Sequence, residues 1–104
     1  MQTNIKATNI ELTDNIKDYI ESKLEMLEKY LGQVQVTNAD FEVEMTTRHH
    51  HKGEIFRAEL NLNVPGELLR IEKTEKDLYK AIDKVKDHMQ QMIVKYKKKK
   101  FDKR

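Results

Sequence analysis

TEKDLYKAIDKVKDHMQQMIVKYKKKK, residues 74–100, decides how the rest of the chain must be arranged. Leu78, Ile82, Val85, Met89, Met92 and Tyr96 recur at steps of four and three, the spacing of one stripe on an α-helix. That stripe must lie on an apolar surface. The start is read locally: Thr74 caps, and Asp77, three residues on, supplies the carboxylate of a capping-box-like pair. On the other flank stand Lys80, Lys84, Lys86, Lys95, Lys97, Lys98, Lys99 and Lys100, denser toward the C-terminus. The spacing therefore predicts a helix that docks one face and offers the other to a polyanion. The plainer alternative is a solvated face with a frayed basic end.

The surface on which this helix docks is legible upstream. From Thr37 the period is two: Ala39, Phe41, Val43 and Met45 alternate with Asp40, Glu42, Glu44 and Thr46. The alternation resumes with Phe56, Ala58, Leu60, Leu62 and Val64, after a polar loop carrying His49, His50 and His51. Pro65-Gly66 marks a turn onto a third strand with Leu69 and Ile71 on its buried face. Residues 3–8 read as a short strand. Between it and Thr37, Thr13 caps a helix in which Ile16, Tyr19, Ile20, Leu24, Leu27 and Leu31 keep helical period as far as Gly32.

The order β-α-β-β-β-α predicts an α+β two-layer sandwich, with two helices on one face of a four-stranded sheet. Short connections make the last three strands an antiparallel meander, and the helical crossover makes the first strand parallel to the second. At 104 residues this is a single domain. Residues 1–96 are its body, and 97–104 are a basic tail free to fray. The opposite sheet face should be polar, largely acidic and wet.

Net charge is only +2, but it is unevenly spread. Residues 1–39 net −2 and residues 40–75 net −3, whereas residues 76–104 hold eleven basic and four acidic side chains, a net +7. Such asymmetry is the footprint of a protein that meets a polyanion with one face. The exposed strand positions lack the aromatic platform of a single-strand RNA-binding sheet, so the helices are expected to make the contact.

Several chemistries find no support. There is no cysteine, phosphate loop, nucleophile elbow or His-Glu-x-x-His pattern. Three adjacent histidines at a hairpin tip seldom converge on one ion, so no metal or other cofactor is expected. Glu42 and Glu44 share an open sheet face, which does not drive paired pKa values apart as acid–base catalysis requires. No catalytic residue and no small-molecule substrate are assigned. The lack of cysteine fits a reducing compartment. With no signal-like run in Met1 to Lys6 and no 18 uninterrupted apolar residues, the expectation is a soluble, cytoplasmic protein with no membrane partner.

The run Asp77-Leu78-Tyr79-Lys80-Ala81-Ile82-Asp83, followed by a lysine-rich helix end, resembles the second-helix signature of short ribosome hibernation-promoting factors, also called ribosomal subunit interface or sigma-54 modulation proteins. Ile5 to Thr13, with Lys23-Leu24 and Leu27-Glu28-Lys29-Tyr30, is similar to the same family. The chain departs from it at Met26, His88 and Gln91, where basic residues are common. The resemblance implies a non-enzymatic stationary-phase or stress factor that binds the small ribosomal subunit and its ribosomal RNA. It would occupy the channel of mRNA and tRNA between head and body, silencing or preserving ribosomes. Long members add a C-terminal dimerisation domain. None is read within these 104 residues, and the free protein is expected to be monomeric. The expected RNA-contact set is Lys23, Lys29, Lys80, Lys84, Lys86, Lys95, Lys97, Lys98 and Lys99. Two other functions fit the same residues: a general double-stranded RNA-binding module, and a protein-interaction module for an acidic partner.

Overall fold

A computed structural model describes residues 1–46 and 53–101. The histidine run His49 to His51 and the end of the basic tail lie outside these residues. The elements are β1 (Thr3–Thr8), α1 (Asp14–Leu31), β2 (Asn38–Thr46), β3 (Ile55–Val64), β4 (Glu67–Glu75) and α2 (Leu78–Phe101). The sheet order is β1-β2-β3-β4. β1 is parallel to β2 and the other pairs are antiparallel, as the connection lengths predict.

Register follows the apolar alternation. Phe41 faces Leu60 and Leu60 faces Ile71, while Val43 faces Ala58 and Ala39 faces Leu62, so one face of the sheet is apolar except at the end of β4, where Lys73 and Glu75 share it. Both helices lie on it. Ile16, Ile20, Leu24, Leu27 and Leu31 come from α1, and Leu78, Ala81, Ile82, Val85, Met89, Ile93 and Tyr96 from α2, into one core. A fully buried side chain of this kind contributes about 1.5–3 kcal/mol, so this stripe rather than any surface ion pair holds α2 down. Ile93 is fully buried whereas Met92 only packs at the margin, a one-residue correction to the predicted stripe. At 3.6 residues per turn a strict alternation of fours and threes drifts, and by the fourth turn the next position has rotated inward.

The helix ends obey local chemistry. The Thr13 hydroxyl accepts from the Ile16 amide, and Gly32 closes α1 at φ +59 with its N–H on the Glu28 carbonyl. For α2 the capping residue is Asp77, whose carboxylate accepts from the Tyr79 amide at 2.9 Å. Thr74 does not cap it, because β4 continues through Glu75. At its far end the Tyr96 hydroxyl donates to the Pro65 carbonyl at 2.7 Å and Lys99 pairs with Glu67, tying α2 to the β3–β4 turn. Residues 97–101, grouped with the tail on composition, continue α2. Among the described residues no helix is long and apolar enough to cross a membrane.

The uncovered sheet face is built around one cation. Arg57 reaches Glu44 at 2.8 Å, Glu42 at 3.0 Å and Glu59 at 3.1 Å, with Glu72 at 3.8 Å, and Arg70 takes the other oxygen of Glu59 at 2.6 Å. Burial opposes the Arg57 charge, but the carboxylates outweigh it and raise its pKa. The Thr8 hydroxyl, donating at 2.8 Å, together with Arg57, holds the Glu42 carboxyl below its usual range. A depressed carboxylate stabilises the fold fully above its unfolded pKa, near 4.5, and loses that contribution as pH falls through the folded value. Glu42→Gln is therefore expected to cost about 1 kcal/mol at pH 7. The gap to the parent protein closes on acidification below about pH 4.5; thermal melts of both proteins between pH 3 and 7 check it.

Candidate nucleic-acid interface

The two helices run side by side in the same direction, and their contact line explains most of the Asp77 to Asp83 run. Asp83 on α2 accepts from the Tyr19 hydroxyl at 2.5 Å and pairs with Lys23 at 3.2 Å. The Lys23 ammonium also sits 4.9 Å from the centre of the Tyr19 ring, and the Tyr79 ring meets that ring edge-on with centroids 4.8 Å apart. The Asp83 hydrogen bond, with burial, raises the Tyr19 pKa. Burial works against the Lys23 charge, but Asp83 outweighs it and raises the lysine pKa. Asp77 caps α2, Tyr79 and Asp83 clasp α1, and Leu78, Ala81 and Ile82 enter the core. Lys80 is the member of the run that points freely outward.

The nine lysines expected to contact RNA divide by what they already touch. Lys23 lies at the contact of the two helices and pairs with Asp83, and Lys86 pairs with Asp87 on α2; their side chains are 18% and 16% exposed. Lys84 pairs with Glu75, holding that carboxyl below its usual pKa, and Lys99 pairs with Glu67. Lys97 donates to the Tyr30 carbonyl at 2.9 Å, closing the end of α1. Lys29, Lys80, Lys95 and Lys98 are exposed and form no ion pair with a carboxylate among the described residues. Their charge is available without breaking an existing bond. Exposed pairs such as Lys99 with Glu67 contribute about 0–1 kcal/mol, so a phosphate can displace the carboxylate at small cost.

Lys80, Lys84, Lys95 and Lys98 follow one outward stripe of α2. From Lys80 to Lys98 it spans about 27 Å at the helical rise of 1.5 Å per residue. Asp87 and Gln91 interrupt it, leaving a pair of cations at one end and a denser group at the other.

The cationic layer is α2 and not both helices. α2 holds eight lysines against Asp83 and Asp87. α1 holds Asp14, Asp18, Glu21, Glu25 and Glu28 against Lys17, Lys23 and Lys29, and its five carboxylates fall on one exposed stripe, away from the residues that meet α2. The expected sorting of cations to the helices and carboxylates to the sheet is corrected here: α1 joins the acidic side, and Lys29 is its one unpaired contribution to the cationic edge among the expected set.

Where the basic ends of the helices converge, the surface changes character. Tyr30 from the last turn of α1 and Val94 and Phe101 from α2 form an apolar recess, with Lys29, Lys97 and Lys98 around it. Phe101 is 65% exposed and Tyr30 41%. Sequence reading left Phe101 as a tail residue and gave Tyr30 no role. The available signal was that Val94 and Phe101 lie seven residues apart on a face the core does not use.

A family model described as Sigma 54 modulation protein / S30EA ribosomal protein matches residues 3–100. Among curated proteins, the ribosome hibernation promotion factor of Deinococcus radiodurans is 35% identical over 94 residues, 89% of this chain and 47% of that protein. The ribosome hibernation promoting factor of Azotobacter vinelandii is 26% identical over 102 residues, 98% of this chain and 88% of that protein. The chain spans about half the length of the Deinococcus radiodurans and Lactococcus lactis relatives it matches. Among solved structures, the Thermus thermophilus Protein Y N-terminal domain superposes with a TM-score of 0.77 at 30% identity, covering 92% of this chain and 99% of that domain. A ribosomal subunit interface protein from Coxiella burnetii has a TM-score of 0.72 at 16% identity, covering 93% of this chain and 98% of that one, a likeness of fold.

Proposed function

Because the chain belongs to the sigma 54 modulation protein / S30EA ribosomal protein family, we propose that it is a ribosome-binding factor that idles translation without catalysing a reaction. Its partner is the small ribosomal subunit, met in the cytoplasm through ribosomal RNA in the channel that mRNA and tRNA use. Occupation of that channel by a folded body excludes both ligands, and the ribosome is silenced and preserved under stress or in stationary phase. The relatives named as hibernation factors support this reading. The observation that carries it is the eight-to-two excess of cations on α2, with Lys80, Lys95 and Lys98 forming no ion pair among the described residues and Lys29 beside them on α1.

Contact through helix lysines reads phosphate position and RNA shape rather than base sequence. The acidic stripe of α1 and the carboxylates of the sheet repel RNA from the other sides, so the charge pattern orients the approach. With about four phosphate contacts, log affinity falls against log salt with a slope of about −3 to −4.

Cosedimentation with purified small subunits over a salt series tests the reading. Retention at low salt with a slope in that range supports it, and absence from the small-subunit fraction at low salt ends it. Equal competition by an isolated RNA duplex reassigns the chain as a general double-stranded RNA binder.

A further inference from the structure

We propose that the recess formed by Tyr30, Val94 and Phe101 receives an unstacked base of single-stranded RNA, with Lys29, Lys97 and Lys98 holding the flanking phosphates. The proposal rests on the RNA-binding reading above and adds to it a second mode of contact, one made to a base.

The argument begins with an energetic oddity. Phe101 and Tyr30 expose large aromatic surfaces on the last turns of two adjacent helices, and neither is needed by the core. Isolated exposed apolar residues are ordinary, but here three share one recess whose other lining residues are all lysines. Among the described residues its lining holds no carboxylate. Lys97 is held in place by its bond to the Tyr30 carbonyl, which fixes the end of α1 against α2 and keeps the recess open between them. Lys29 and Lys98 are exposed and form no ion pair with a carboxylate among the described residues.

An apolar floor ringed by cations matches a flat aromatic ligand carried on a polyanion. Bases stack on aromatic side chains irrespective of sequence, while lysines track the backbone. A second copy of the chain fits worse, since it would bring the same lysines against these. The recess also lies at the cation-rich end of the α2 stripe, so a strand following Lys80 to Lys98 arrives there with its phosphates already neutralised.

The chain contains no tryptophan, so Phe101→Trp both preserves the stacking surface and supplies a single reporter. Decauridylate is the probe, and inorganic polyphosphate is the purely electrostatic control. In the F101W variant, decauridylate is expected to quench the tryptophan emission and polyphosphate to leave it unchanged. Phe101→Ala is expected to weaken decauridylate binding roughly 5- to 100-fold, with the salt slope unaltered because no phosphate contact is removed. F101W should retain affinity. Phe101 is largely exposed, so circular dichroism should show both variants folded. Equal affinity of F101A and the parent chain for decauridylate, equal quenching by polyphosphate, or a change in self-association with RNA binding intact would each overturn the stacking site. If the parent chain binds small subunits while F101A is unaffected, only this inference falls. If the parent chain does not bind small subunits, the functional reading falls, whatever decauridylate does.

Discussion

Reversing Lys80, Lys95 and Lys98 together to glutamate lowers affinity for small ribosomal subunits by at least about a hundredfold at 0.15 M salt. Each phosphate contact adds about 0.7–0.9 to the salt slope, which at that ionic strength is worth a factor of roughly four to five, and three contacts multiply. Charge reversal adds repulsion to the loss. These three lysines are chosen because they are exposed and pair with no carboxylate among the described residues, so no observed ion pair of the fold is lost with them. Lys97 is left intact since its bond to Tyr30 is structural. The expected picture is a variant with the parent melting temperature, absent from the small-subunit fraction, and with a salt slope shallower by about 2–3. An unchanged affinity places the contact face elsewhere on the molecule.

Arg57→Ala is expected to destabilise the fold by about 2–4 kcal/mol, lowering the melting temperature by roughly 8–30 °C. Four carboxylates converge on this guanidinium, and Glu59 among them is nearly buried. Removing the cation leaves like charges opposed across β2, β3 and β4, with Arg70 alone reaching Glu59. The cost stays below that of a fully buried pair because Glu42 and Glu44 are a quarter exposed and partly rehydrate. Acidification protonates the orphaned carboxylates and relieves their repulsion, so the gap to the parent protein narrows toward pH 4. Calorimetry at pH 7 and pH 4 measures both effects. A drop of less than 0.5 kcal/mol at pH 7 would mean that solvent already screens the cluster.

The proposed RNA contact and the ion-pair cluster that stabilises the fold thus lie on opposite sides of the molecule. The acidic sheet is partly neutralised internally by Arg57 and Arg70 and keeps an excess of carboxylates. Among the described residues the α2 stripe has no comparable internal neutralisation at Lys80, Lys95 and Lys98. Charge that the fold leaves unpaired in this way is available to a partner.

The residues of the Asp77 to Asp83 run show what a sequence pattern does and does not disclose. Its helical period placed Leu78 and Ile82 in the core before any coordinates. That Asp83 grips Tyr19 and Lys23 was not legible, because the partners lie 64 and 60 residues away and no local rule joins them. Lys23 enters the expected RNA-contact set through the family resemblance, which says nothing of its pairing with Asp83. Only the adjacency of α1 and α2 shows it engaged.

From sequence alone came the element order, the face of each strand that is buried, the strand directions, the ends of α1 and the concentration of cations after residue 76. All of these follow from spacing along one chain, where side-chain direction repeats every 2 or 3.6 residues and connection length limits topology. Tertiary structure alone decided that Ile93 enters the core where Met92 only flanks it, that Asp83 holds Tyr19 and Lys23, and that Tyr30 and Phe101 share one recess. These depend on which distant side chains become neighbours, a property of packing between elements that periodicity within an element does not encode.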